Sequence, residues 1–183
     1  MHPDDAPVVL LDEQRRPIRQ LPKWQVHHAA TPLHLAFSCY IFDGSGRLLM
    51  TRRATTKRTW PGVWTNTCCG HPLPDEPATQ AAARRLREEL DLQLTRSVVV
   101  LPEFGYRAAA PDGVVENEFC PVLVGCADGH PQPDPAEVLE YRCAPWSDVV
   151  ALAAAAPWVI SPWAALQIPQ LAALPDSPWS LLD

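Results

Sequence analysis

Glycine is scarce in this chain, with 8 in 183 residues, and basic charge is modest, with 15 lysines and arginines against 21 acidic residues and a formal net charge of −6. So few glycines, even beside 21 prolines, exclude a Gly/Pro low-complexity chain. The acidic balance argues against non-specific nucleic-acid binding as the main task. It leaves room for a phosphate ligand, which needs only a few local cations. No apolar run reaches the ~20 residues of a membrane span, and the alanine-rich stretch Val149 to Ala156 is too short. No apolar segment follows a basic start, so no secretion signal is read. The six cysteines, at positions 39, 68, 69, 120, 126 and 143, include no CxxC pair that would suggest a zinc ribbon. Without a secretion signal they are expected to be free thiols in a reducing cytoplasm.

What is present is ordinary for a globular protein: 47% hydrophobic and 20% charged residues. A chain of this size buries roughly 70% of its unfolded surface, so one domain over residues 1–183 is expected, with no need for disulfides. Val8 to Asp12 reads as a short strand. Leu33 to Phe42 (LHLAFSCYIF) and Arg47 to Arg53 flank Asp43-Gly44-Ser45-Gly46 and together read as a β-hairpin. Residues 54–76 read as a long irregular segment, too rich in Trp, Cys and His to be disordered, and loops of that length are usually functional. Residues 77–90 read as a helix. Ala82, Leu86 and Leu90 make its apolar stripe, and Arg84–Glu88 and Arg85–Glu89 are i, i+4 pairs. Strands follow at 92–101 and at Val114 to Val124, the latter interrupted by Pro121. Helices follow at 146–156 and 158–168. Strands, a helix, strands, then helices predict an α+β domain with a mixed sheet layered between helices.

Gly70 to Leu92 reads GHPLPDEPATQAAARRLREELDL. It resembles the Nudix box, in which a loop leads into a helix whose carboxylates bind hard divalent cations, and these in turn bind diphosphate oxygens. Gly70, Glu76, Arg84, Leu86, Glu88, Glu89 and Leu92 match in register, while Arg85 stands for the box's Glu and Asp91 for its Gly. An Arg/Glu run alone is more often a solvated helix face; seven spaced matches are not.

Two departures from the box point to a divergent branch. TRRATTKRTWPGVWTNTCCGHP (Thr51 to Pro72), LHLAFS (Leu33 to Ser38), VVENEFCPV (Val114 to Val122) and PWVISPW (Pro157 to Trp163) resemble, in order and spacing, the type I isopentenyl-diphosphate Δ-isomerase family. The likeness spans roughly residues 5–168. It implies a Nudix-like catalytic core over 32–166 and a reversible 1,3-allylic proton shift between isopentenyl and dimethylallyl diphosphate, in the cytoplasm, by a monomer or weak homodimer without nucleic-acid or membrane partners. The alternatives are a Nudix diphosphohydrolase and an inactive binding module.

The residues have a chemistry of their own. At strand period two, Glu116 and Glu118 share a face, where their mutual repulsion calls for a cation or a proton. Three histidines with two glutamates would make a mixed N/O site suited to Zn, Mn or Fe, and octahedral geometry would favour Mn or Mg. Any one histidine is more often packed or solvated than a ligand, and sequence alone does not make these converge. The resemblance implies that they do: His27, His34, His71, Glu116 and Glu118 fall at metal-ligand positions, for Mn2+ or Mg2+ with Zn2+ a further option. Glu89 falls where a diphosphate-bound Mg2+ is held. Cys69, rather than Cys68, falls at the catalytic thiol position, and Glu118, assisted by Tyr106, at that of the second proton-transfer group. Trp163 falls at the position of an active-site indole, whose face can stabilise a carbocation. Lys23, Arg53 and Lys57 fall at diphosphate contacts.

Overall fold

The computed structural model describes residues 6–182. The strands are β1 (Pro7–Leu11), β2 (Pro17–Pro22), β3 (His34–Leu35), β4 (Phe37–Ile41), β5 (Arg47–Arg53), β6 (Trp64–Thr65), β7 (Cys68–Gly70), β8 (Gln93–Leu101), β9 (Gly105–Ala109), β10 (Val115–Phe119), β11 (Val122–Asp128) and β12 (Val138–Pro145). The helices are the single turn α1 (Lys23–Val26), then α2 (Ala78–Leu90), α3 (Trp146–Ala155) and α4 (Pro162–Ala172), with 3-10 turns at Pro157–Val159 and Pro178–Leu182. Among the described residues no helix is long and apolar enough to cross a membrane.

All five residues of β4 are buried. Side chains alternate along a strand, so its two faces enter different cores. Phe37, Cys39 and Ile41 pack with Ala81, Ala82, Leu86 and Leu90 of α2. Tyr40 and Phe42 pack with Trp146 and Val149 of α3 and with Trp163, Ala164 and Ile168 of α4. The strands order as β2-β1-β3-β10-β9, β7-β4-β11-β8 and β12-β5-β6. β3 with β10 and β4 with β11 are parallel pairs; the remaining named pairs are antiparallel. The expected α+β arrangement, a mixed sheet between helices, is the one observed.

Three local expectations differ. β4 and β5 do not form a hairpin: beyond a single bridge, Phe42 to Leu48, they part into different sheets. A strand apolar on both faces belongs in the interior of a sheet, and β4 takes β7 and β11 as its neighbours. The segment 54–76 is not wholly irregular, since it contains β6 and β7. The last long helix starts at Pro162, not near 158, because Pro162 fits the first helical position and the Ser161 hydroxyl accepts from the Ala164 amide at 3.4 Å. It then runs through Pro169, whose ring sits on the exposed side.

Helix α2 ends where the Nudix box would have glycine. Asp91 takes φ 52° and ψ 33°, and its amide donates to the Arg87 carbonyl at 2.9 Å, a left-handed cap that glycine adopts without steric cost. Asp91→Gly is therefore expected to raise stability by about 0.5 kcal/mol. A urea unfolding midpoint equal to or below that of the parent would contradict this.

Candidate active site

The sheet register brings the first group of residues together. Glu118 on β10 lies beside His34 on β3 and opposite Tyr106 on β9. His27 follows α1, and His71 follows β7. The three imidazole centroids stand 5.1–5.3 Å apart. One ligand atom from each of His27, His34, His71 and Glu118 falls within 4.8 Å of all the others. The His27 and His34 Nδ1 atoms meet the carbonyls of Lys23 (3.2 Å) and Pro32 (2.9 Å). A carbonyl only accepts, so each Nδ1 carries the proton and Nε2 is left to face its neighbours.

These residues fit a divalent cation. The Nε2 atoms of His34 and His71 are buried without a hydrogen-bond partner, 3.5 and 3.4 Å from Glu118 Oε1. Those separations are long for hydrogen bonds. Donors sharing one ion at about 2.1 Å would stand roughly 3–3.5 Å apart. Burial, then the neighbouring His34, lowers His27 to about 4; burial likewise lowers His71 to about 3, so both rings are neutral and able to ligate near pH 7. Burial opposes a charge on Glu118, yet the His34 and His71 rings that face it hold its carboxyl well below the ordinary range. His34 is lifted, against burial, by Glu118.

Glu116 lines the same cavity but lies outside that four-residue group. Its Oε2 accepts the hydroxyl of Tyr106 at 2.7 Å, while the register sets Tyr106 opposite Glu118, so this tyrosine adjoins both carboxylates and is hydrogen-bonded to Glu116. Burial and the nearby Glu118 raise the Glu116 carboxyl. Cys68 and Cys69 point to opposite faces of β7. Cys68 enters the α2 core, whereas Cys69 lines the cavity. Burial pushes the Cys69 thiol up to about 12, although Arg53 pulls the other way, so it carries its proton near neutral pH. Trp163 also lines the cavity, is 2% exposed, and sits 5.9 Å from Tyr106 and 5.4 Å below the Arg53 guanidinium.

The cavity also carries a group of basic side chains. Lys23, Arg53, Lys57, Arg84 and Arg85 line it, with Glu137 among them. Arg53 is braced by the carbonyls of Thr59 (2.9 Å) and Trp60 (3.2 Å). Lys57 pairs with Glu137, and Arg85 Nη2 reaches the same carboxylate at 3.2 Å. Lys23 is pushed down by burial and by the cations around it. Glu89 is buried, and Arg85 donates twice to its Oε1, at 2.6 and 3.0 Å. Arg84 forks onto Glu76 (2.9 and 2.8 Å) and reaches the His71 carbonyl at 3.3 Å, tying the His71 loop to α2.

Sequence reasoning missed two of these residues. Arg85 was legible only as a departure from a motif and as a surface pair. Glu137 stands in a Pro-rich connection with no pattern to mark it.

A NUDIX domain family model matches residues 32–166. An isopentenyl-diphosphate Delta-isomerase of Mycolicibacterium vanbaalenii is 59% identical over 164 residues, 90% of each chain. The chain belongs to the isopentenyl-diphosphate Delta-isomerase family. A second member, from Frankia alni, is 57% identical over 90% of this chain and 84% of its own. The fold is also that of a crystal structure from Deinococcus radiodurans, with TM-score 0.68 and 17% identity over 90% of this chain and 98% of that one. Lys23 and His27 precede the segment that the NUDIX model matches, so two groups of this cavity come from outside that segment.

Glu137 gives a pH test of the basic group. Burial opposes its charge, but Lys57 and Arg85 hold its carboxyl down to about 2. A folded-state value below the unfolded one stabilises the protein above the unfolded value, and that contribution is lost as pH falls through the folded one. Glu137→Gln should therefore be less stable than the parent at pH 6. The gap in urea midpoint should close between about pH 4.5 and pH 2. A gap independent of pH would contradict the pairing.

Proposed function

We infer that this protein interconverts isopentenyl and dimethylallyl diphosphate by a 1,3-allylic proton shift. The observation that carries the reading is one cavity with two chemistries, in a chain 59% identical to an isopentenyl-diphosphate Delta-isomerase. Four cations of its lining, Lys23, Arg53, Lys57 and Arg85, would form the end that takes a diphosphate. Cys69, Tyr106, Glu116, Glu118 and Trp163 line it too and would form the end that takes a small, uncharged alkene.

Moving the double bond needs one proton added at a terminal carbon and another removed from the far side of the allyl unit. Cys69, a thiol near neutral pH, and the carboxylates with Tyr106 are the groups able to give and take protons. The tertiary cation between the two steps would meet the face of Trp163. Burial of these side chains keeps water from trapping it. The Arg53 guanidinium, over the same indole, reaches toward Cys69 Sγ at 3.9 Å and would link the diphosphate end to the alkene end.

A divalent ion on His27, His34, His71 and Glu118, with Glu116 adjoining, would supply positive charge that keeps Glu118 ionised and tunes the carboxylate pair. We assign it as Mn2+ or Mg2+, with Zn2+ also compatible with the donor set. Glu89, through the Oε2 that Arg85 leaves free, would serve a Mg2+ carried by the diphosphate. Hydrolysis at phosphorus is disfavoured because Arg85 stands where the Nudix box has an acid, and it pairs with Glu88 and with one oxygen of Glu89.

In heavy water the protein should convert isopentenyl diphosphate to its isomer and place deuterium at the allylic positions. Release of phosphate or diphosphate without deuterium would overturn the reading. Cys69→Ala and Glu118→Gln are expected to lose about 10²–10⁴-fold in kcat, with Cys68→Ala mild. Arg85→Met should raise KM more than it lowers kcat. A chelator should abolish turnover, and one added divalent ion should restore it, with metal analysis of the restored protein identifying that ion.

A further inference from the structure

Asn66 is fully buried between β6 and β7, and both ends of its side-chain amide are saturated. Its Oδ1 accepts the Trp163 indole N–H at 2.8 Å and the Thr65 hydroxyl at 2.8 Å. Its Nδ2 donates to the carbonyls of Cys68 at 2.7 Å and Cys39 at 3.0 Å. The indole can only donate and the carbonyls can only accept, so these partners allow a single orientation of the amide. Its main-chain carbonyl accepts the Thr51 hydroxyl at 2.9 Å.

These bonds join two walls of the cavity that are 97 residues apart in sequence. The Cys68 carbonyl belongs to the peptide that leads into Cys69. The indole on the other side of the amide is the aromatic face over the alkene. A second line of bonds reinforces the first: the Ser161 and Thr65 hydroxyls meet at 2.8 Å, and Ser161 caps the helix that carries Trp163. The Ser161 amide also donates to the Trp64 carbonyl at 2.8 Å. Asn66 touches neither the diphosphate end nor the histidine cluster.

We propose that Asn66 is a positioning residue that fixes the spacing and tilt of the Trp163 indole relative to the Cys69 thiol through one doubly shared amide. The proposal rests on the isomerase reading above. A small displacement of a reacting or stabilising group can cost about 10²-fold in rate, and the polar network is worth more intact than its separate bonds suggest.

The test combines kinetics with the indole resonance of Trp163 in protein labelled with 15N at tryptophan, identified by its loss in Trp163→Phe. Asn66→Ser should lower kcat for isopentenyl diphosphate about 10- to 100-fold, with KM within about threefold of the parent. In the Trp163→Phe background the same change should cost less than about threefold more, because the partner is already gone. A full multiplicative loss in both backgrounds, or a rise in KM at constant kcat, would overturn the proposal. Asn66→Asp keeps the indole acceptor and removes both donors to carbonyls, so its kcat should also fall while the Trp163 resonance stays near its parental position. Should neither variant fold, the parent protein decides. The indole proton must exchange with solvent far more slowly than that of a free indole, and exchange at the free rate would remove the link. Failure of the parent to isomerise at all would sink the functional reading instead, leaving the resonance to report on the amide by itself.

Discussion

A carboxylate as deeply buried as Glu118 stays ionised only where its charge is answered. His34 and His71 face its Oε1 with His27 beside them, and each imidazole arrives from a different part of the fold: one after a single helical turn, one on the strand beside Glu118, one in the loop ahead of α2. The arrangement requires the short β3 strand to lie parallel to β10, so that His34 and Glu118 are neighbours. It requires the β1–β2 hairpin to add to that sheet, which carries α1 and His27 into reach. It also requires the Arg84–Glu76 fork, which pins the loop bearing His71. The packing of the sheets thus serves to hold one negative charge away from water.

The basic group follows a similar logic with the sign reversed. Lys23, Arg53, Lys57 and Arg85 repel one another, and two carboxylates, the buried Glu89 and the half-buried Glu137, keep them together without a ligand. Arg85 is central because it bonds to both. The position where the Nudix box has an acid carries a cation here, so the helix that would gather metal in that box contributes positive charge to the cavity wall.

Much of the architecture was legible because burial leaves a pattern. The mostly apolar β4, the stripe on α2 and the paired spacing of Glu116 and Glu118 can each be read from side-chain patterning. The four motif blocks held eight of the residues assigned a site role in advance, while Lys23, His27, Glu89 and Tyr106 lay outside them, and the fold brings most of the set to one cavity. What escaped had no such pattern. β2 is largely exposed and polar, and β9 and β12 are so in part, hence their weak alternation. The supposed hairpin failed because turn chemistry at Asp43 to Gly46 is a local signal, whereas the pairing of β4 was decided by distant β11. Tyr106 met Glu116 rather than Glu118 because a tyrosine is long enough to reach diagonally across two strands. Glu137 and Asn66 act through contacts 80 and 97 residues away, which no local window contains.

The histidine rings are aimed by main-chain oxygens, those of Lys23 for His27 and of Pro32 for His34. Every amino acid supplies that oxygen, so a point substitution at position 32 leaves the acceptor in place as long as the backbone keeps its path. Orientation of the ring is thereby separated from the identity of the residue that orients it. A site built this way tolerates sequence drift around its ligands, and its robustness lies in the course of the chain more than in the alphabet of side chains.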